Sequence, residues 1–365
     1  MAELRVCIVG GSIGGLAAAV SFHRLGARVR VFEKAPAPLY GRGGSIGFVN
    51  NMLWEKVRGA PMMRRGQRAS RAQGAYLYGD LWGYLYDGLP ADTVRFGATV
   101  ESLGDDPSAP IVDGETYDLC VISDGGWSAL RERYFAQYLD PRAPIYAGYN
   151  VWRFRVERKL VPGWDAEGEY SDGSHHRTIL MNIALNDGRD FVMGGSAIAA
   201  EEGTLAPPDA GASRQDFGDD KDGGNTESAP KWFLPWYKAH FGRHEGGELY
   251  RAHVAAAEHG KIAAQPQYEF AASKIVLGRL VLVGDAAHMA SPRTGAGAHT
   301  AVMDGLGLYD AFTAALAGRG GNGPLAERLL ALYQPDALER AAALYARSRE
   351  VSADVTAPGW KRKGA

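Results

Sequence analysis

A chain of 365 residues with 46% hydrophobic content is long enough to bury one large core or two fused ones. Its formal net charge of −2 gives no electrostatic reason to expect nucleic acid or an anionic membrane as a partner. No apolar run approaches the ~18 residues of a membrane span, and the first residues lack the basic and apolar regions of a secretion signal. The expected location is therefore cytoplasmic. The two cysteines, Cys7 and Cys120, each lie in an apolar run and read as buried free thiols in a reducing compartment.

The chain opens on an apolar strand, Arg5 to Val9, followed by Gly10-Gly11-Ser12-Ile13-Gly14-Gly15 and a helical run from Leu16 to Phe22. A second strand, Val29 to Phe32, ends on Glu33, 18 residues after Gly15. Strand, glycine turn, helix and terminal acid make a βαβ dinucleotide fingerprint. The turn brings backbone close to a pyrophosphate, the helix N-terminus faces the phosphates, and the acid meets the ribose. One departure stands out. The middle glycine of the usual pattern is Ser12, whose hydroxyl either points away from the pyrophosphate or hydrogen-bonds it.

From Asn50 to Gly74 the sequence is basic, with Arg58, Arg64, Arg65, Arg68 and Arg71. It reads as a surface helix and loop, either a solvated face or a route for nicotinamide phosphates. Leu81 to Leu89 reads as a helix and Thr93 to Val100 as a strand. A further apolar strand from Asp118 ends on Asp124-Gly125, with Ser128 and Arg131 at fixed offsets. Ser128 also suits a helix cap, and Arg131 a loop anchor.

From Tyr146 to about Phe270 the pattern changes to short alternating strands, which predict an antiparallel sheet. Ala206 to Pro230 is expected to be a long loop. Lys231 to His244 is an aromatic helix candidate whose Trp232, Phe233, Trp236, Tyr237 and Phe241 read as core or ligand box. His240 and His244 have helical metal-ligand spacing, but no carboxylate partner accompanies them, so no metal site is predicted. His175 and His176 cannot share one face of a strand.

The densest signal lies at 280–305. Leu280 to Val283 is a buried strand, Gly284-Asp285-Ala286-Ala287-His288 follows, and a Pro292- and Gly295-containing loop leads into a helix opening at Gly297. An acid at a strand end and a helix start behind a glycine loop suit a polar ligand. A side chain at Gly297 is expected to crowd that ligand or to remove backbone freedom the loop needs. Leu325 to Val355 is strongly helical, with Leu329, Leu332, Leu338 and Leu344 as packing residues, and the tail from Lys361 is short.

These three motifs, at Gly10–Gly15, Asp124–Arg131 and Gly284–Asp304, resemble those of the single-component (group A, para-hydroxybenzoate hydroxylase-like) FAD-dependent monooxygenases, with Ile122 standing where that family has a glycine. The resemblance implies an α/β fold with a Rossmann-like, glutathione reductase-type FAD domain, an antiparallel-sheet substrate domain and C-terminal helices. Residues 1–145 and 271–365 form the discontinuous FAD domain, and 146–270 the substrate domain, with 50–80 contributing. FAD contacts are implied for Gly10, Ser12, Ile13, Gly14, Gly15, Glu33, Lys34, Arg42, Val100 (beside the adenine), Asp124, Arg131, Asp285 (at the ribityl chain), Gly295, Ala296, Gly297 and Ala298. The stretch Pro144 to Arg153 and Tyr78, where many members carry an FAD-binding arginine, are similar to 2,6-dihydroxypyridine and urate hydroxylases. Pro292, Trp152 and Arg153 are the pocket candidates, Trp152 reading equally as core.

The implied activity uses NAD(P)H, a transient visitor because only one dinucleotide fingerprint occurs, and O₂. It hydroxylates a small aromatic or N-heteroaromatic substrate through a flavin C4a-hydroperoxide, in a monomer or homodimer. Two rivals stand beside it: an FAD-dependent reductase or dehydrogenase without oxygen transfer, and a degenerate FAD-binding module.

Overall fold

The computed structural model describes residues 4–40, 45–46, 50–62, 76–161, 168–171, 176–184, 190–204, 230–244, 248–259 and 262–356. In chain order, β1 (Arg5–Val9), α1 (Ile13–Arg24) and β2 (Arg28–Glu33) form the first βαβ unit. The short pair β3 (Ser45–Ile46) and β4 (Tyr76–Leu77) brackets α2 (Asn51–Arg58), and α3 (Tyr78–Tyr86) follows at once. Next come β5 (Val94–Phe96), the hairpin β6 (Ile111–Val112) and β7 (Glu115–Thr116), β8 (Leu119–Ile122) and α4 (Ala129–Phe135). The middle of the chain holds β9 (Ile145–Glu157), β10 (Gly168–Ser171), β11 (His176–Ala184), β12 (Asp190–Ala199), α5 (Phe233–Phe241), α6 (Glu248–Glu258) and β13 (Ile262–Ala271). The last part is β14 (Val276–Leu277), β15 (Leu280–Leu282), β16 (His288–Met289), α7 (Gly297–Leu316) and α8 (Leu325–Thr356).

Two six-stranded sheets organise these elements. The first has the order β14-β15-β8-β1-β2-β5 and is parallel except at β14. Its central strands β8 and β15 are buried along their whole length, as a sheet covered on both faces requires. On one face α1 packs against α7, and the approach is close because Gly305 has no side chain. A Cβ there would lie 2.6 Å from the Ala17 carbonyl carbon. The two helix starts are thereby brought to the same end of the sheet.

The second sheet has the order β10-β11-β12-β9-β13-β16 and is antiparallel. Strand β9 alternates cleanly from Tyr149 onward. Trp152, Phe154 and Val156 pack with Phe233, Trp236, Tyr237 and Phe241 of α5, while Tyr149 and Val151 pack with Val355 of α8. The aromatic run of α5 is thus core. Strand β16 belongs to the Gly284–Gly297 segment, so the two sheets are stitched together at the motif itself.

Three expectations need correction. The strand expected over Thr93 to Val100 covers only Val94–Phe96, because Gly97 turns the chain at φ 69°. Val100 is instead a half-buried residue in irregular chain, packed on the main core. The helix expected from Leu81 begins three residues earlier, at Tyr78. Arg58 is not a freely solvated charge: its Nε donates to the Tyr84 carbonyl at 2.8 Å. Arg64, Arg65, Arg68, Arg71, His175, the Ala206 to Ala229 part of the long loop and the tail from Lys361 lie outside the described residues.

Candidate active site

The C-terminal ends of β1, β2, β8 and β15 lie side by side, with β1 flanked by β2 on one side and β8 on the other. That reversal of strand order is where open α/β sheets form a crevice for ligands. All three sequence motifs meet there. A Cβ on Gly10, which has φ 99°, would lie 2.3 Å from the Ser123 carbonyl oxygen, so the Asp124 loop passes directly over the glycine turn. One on Gly15 would lie 1.9 Å from the Gly10 oxygen, and Gly14 sits 3.4 Å from the Gly284 Cα by the same measure. The Ser123 hydroxyl locks the junction, donating to the Val9 and Gly10 carbonyls at 2.8 Å each.

Glu33 is buried and already engaged. Its Oε2 accepts from the Gly11 N–H at 2.6 Å and its Oε1 from the Ala35 N–H at 2.7 Å. It holds the turn in shape, and each oxygen keeps a lone pair for a further donor. Lys34 beside it is exposed, Ile13 is buried in the first turn of α1, and Arg42 lies outside the described residues.

Asp285 differs from Glu33. It is reached by solvent although protein surrounds it; burial raises its carboxyl, which His288 opposes. Its carboxylate makes no hydrogen bond to the described residues. Behind it lies a buried charged cluster: Asp304 accepts from the Gly284 N–H at 2.9 Å, from His288 Nε2 at 2.7 Å and from Arg340 Nη2 at 3.1 Å. Asp304 therefore fixes Gly284, at φ 57°, and with it the direction of Asp285.

The Ser128 and Arg131 motif resolves toward its structural alternative. Ser128 caps α4, its Oγ accepting from the Arg131 N–H at 2.9 Å. The Arg131 guanidinium is buried and donates to the Gly126 and Ala286 carbonyls at 2.8 and 3.3 Å, lying over the Phe270 ring. It ties the Asp124 loop to the Asp285 turn. Asp124 is raised by burial, which Ser128 and Arg131 oppose, and its Oδ1 has no partner among the described residues.

The loop before α7 is held from the far side. The Ser291 N–H donates to Ser348 Oγ at 2.7 Å, and Ser348 donates to buried Glu269 at 2.6 Å. Ser352 and Arg349 also donate to Glu269, and the Tyr149 hydroxyl lies 2.5 Å from Ser291 Oγ. Pro292 is left exposed beside this anchored serine. The residue that needs a left-handed backbone is Gly295, at φ 63°; Gly297 does not, and a Cβ there would meet nothing within 4 Å. Ala296 is the N-cap of α7 and Ala298 packs on the core.

Trp152 and Arg153 point to opposite faces of β9. Trp152 is fully buried in the aromatic core. Arg153 shares the face of Tyr149, is open to water and has no partner among the described residues; the protein around it lowers its pKa by desolvation. His240 bonds the Trp236 carbonyl and stacks on its ring. Among the described residues no group of three or more metal-ligating side chains gathers, and no helix is long and apolar enough to cross a membrane. A shallow cavity of about 240 Å³, lined by Arg5, Arg28, Arg30 and Tyr117, lies at the opposite end of the strands and takes no part in this site.

Sequence reasoning placed Tyr78 at a position where the family carries an FAD-binding arginine, but it missed that Tyr78 and Trp82 touch the glycine turn. The Tyr78 hydroxyl lies 2.8 Å from Ser12 Oγ, and Trp82 Nε1 donates to the Gly11 carbonyl at 2.7 Å. It also missed the Asp304 cluster, for which a signal existed: an acid inside the otherwise apolar Ala301 to Leu308 stretch.

A glycine-rich turn, an acid with no partner among the described residues and two helix starts at one crevice fit an FAD-binding α/β protein. Residues 247–348 match the family model described as an FAD binding domain. Aurachin C monooxygenase/isomerase from Stigmatella aurantiaca is 27% identical over 339 residues, spanning 84% of this chain and 79% of that protein. The solved 2,6-dihydroxypyridine-3-hydroxylase from Arthrobacter nicotinovorans is 20% identical, with a TM-score of 0.74 over 99% of this chain and 95% of that one. Klebsiella pneumoniae HpxO, solved with FAD and uric acid, is also 20% identical, with a TM-score of 0.65 over 97% and 89%. The proteins this chain resembles over most of its length are group A flavin-dependent monooxygenases.

Proposed function

We propose that this protein uses NAD(P)H and O₂ to hydroxylate a small aromatic or N-heteroaromatic ring with a noncovalently held FAD. The observation that carries this reading is the Asp285 carboxylate, accessible and without a partner among the described residues at the crevice where all three motifs meet. The bound flavin would accept the hydride and activate oxygen; the protein supplies position, electrostatics and dryness. In this reading Asp285 takes the ribityl hydroxyls, Glu33 a ribose hydroxyl, and the Gly10–Gly15 turn the diphosphate. Gly295 to Ala298 present the N-terminal end of α7 to the flavin ring. Arg153 and Pro292 are proposed to border the substrate, and Trp152 to support the sheet from behind. Residues 1–145 and 271–365 are proposed as the FAD unit and 146–270 as the substrate unit.

Purified protein is expected to be yellow, or to acquire a flavin spectrum on titration, and to release FAD and not FMN on denaturation. A protein that gains no flavin spectrum from added FAD would refute the reading. Oxygen transfer is tested by following NAD(P)H consumption and O₂ uptake with phenols and hydroxypyridines, and by mass analysis of the product. A reductase would consume NAD(P)H without adding oxygen to the ring.

Asp285→Ala is expected to weaken FAD binding roughly 10–100-fold, the worth of a charge-assisted hydrogen bond of about 1.5–3 kcal/mol. Far-UV circular dichroism should stay that of the parent. Equal FAD affinity in the folded variant would mean that Asp285 does not touch the cofactor.

A further inference from the structure

Ser12 stands at the N-cap of α1 with extended backbone (φ −80°, ψ −174°), yet its side chain caps nothing. An N-cap serine ordinarily accepts from an N–H of the first helical turn. Here the hydroxyl is turned across the crevice to Tyr78, 2.8 Å away. Tyr78 is itself fixed. It is the first residue of α3, and Trp82, one turn later, is bonded to the Gly11 carbonyl at 2.7 Å. The Tyr78 oxygen lies close enough to both Glu33 and Asp285 to feel their charges. The two hydroxyls therefore stand beside the N–H groups of the first turn of α1, which no side chain caps.

We propose that Ser12 and Tyr78 work together as a neutral clamp for the diphosphate of the dinucleotide. This rests on the FAD reading above and deepens it. Between themselves the hydroxyls use one hydrogen; facing a diphosphate, each rotates to donate to a phosphoryl oxygen, in concert with the first-turn N–H groups of α1. Burial raises the phenol, which keeps Tyr78 a donor and avoids a third negative charge beside Glu33 and Asp285. The serine in place of the usual glycine is then a ligand-facing group, and Tyr78 is the partner that aims it.

The test compares parent, Tyr78→Phe, Ser12→Ala, Ser12→Gly and the Tyr78→Phe/Ser12→Ala double variant. Affinities for FAD and ADP are measured by fluorescence titration, with phosphorus NMR of the bound FAD. Each single variant should bind both ligands about tenfold more weakly. The diphosphate resonances should move, and the double variant should lose less than the product of the singles. Both residues are half-buried and Tyr78→Phe keeps the ring that packs on the core, so melting of the unliganded variants should match the parent. FAD and ADP affinities within twofold of the parent, with unmoved phosphorus resonances, would overturn the clamp alone. A parent that binds neither FAD nor ADP would overturn the FAD reading and the clamp with it.

Discussion

Asp304→Ala is expected to lower the melting temperature of the unliganded protein by about 5–10 °C. Removing one partner of a buried ion pair costs about 3–5 kcal/mol, because the remaining charges stay buried without compensation. Asp304 and His288 are each only 1% exposed, and Arg340 is largely covered. The cluster also carries a pH signature. Burial alone would raise Asp304, but His288, Arg340 and the Gly284 N–H together hold it below the ordinary value of 3.8. Its contribution is therefore complete above about pH 4 and is lost as the pH falls through the lowered folded value. Burial alone would lower His288, but Asp304 raises it above 6.5. That contribution is complete below about pH 6.5 and is lost as the pH rises through the raised folded value. The pair is fully effective between these limits and declines on either side. Asp304→Asn, which keeps the shape, should flatten both flanks of the melting-temperature profile. A profile identical to the parent's would show that the cluster is not a linked ion pair in solution.

What the sequence made legible was whatever is encoded over a short contiguous stretch. The Gly10–Gly15 turn, the Asp124 loop and the Gly284–Gly297 segment each contain their own strand, turn and helix start, so local rules suffice. The misreadings have local causes too. Gly97 ends β5 after Phe96, a break that a glycine inside a strand pattern advertises. Trp152 and Arg153 are consecutive on a strand, so alternation alone forbids both from lining one pocket. The contacts that could not be read join distant parts of the chain. Ser12 meets Tyr78 across 66 residues, and Gly11 meets Trp82 across 71. Periodicity within α3 says where its buried face lies, not which turn it touches. Glu269 was hidden for the same reason: its partners sit 79 to 83 residues away on α8.

Two glycines of the proposed FAD site are expected to differ in how alanine affects stability, although both substitutions should weaken FAD binding. At Gly15 an added Cβ would lie 1.9 Å from the Gly10 carbonyl oxygen and 2.6 Å from Ser123 Oγ, which itself bonds the Val9 and Gly10 carbonyls. Neither backbone nor locked hydroxyl has room to move, so the turn must open. Gly15→Ala should lower the stability of the unliganded protein by about 1–3 kcal/mol, the usual cost of overpacking. It should weaken FAD binding at least ~100-fold, because the turn and the α1 N-terminus it aims are displaced together. At Gly297 the same atom meets nothing within 4 Å, and the backbone is not left-handed. Gly297→Ala should leave the unliganded melting temperature unchanged or slightly raised, since alanine favours a helix over glycine by up to about 1 kcal/mol. Yet it should weaken FAD binding, because the methyl group enters the crevice where the flavin ring is proposed to lie. The paired measurement is thermal melting without ligand and FAD titration on both variants. Parent-like stability and affinity in Gly15→Ala would mean the turn is not the rigid cradle described. Unchanged FAD affinity in Gly297→Ala would remove the start of α7 from the flavin site while leaving the Gly10–Gly15 turn in it.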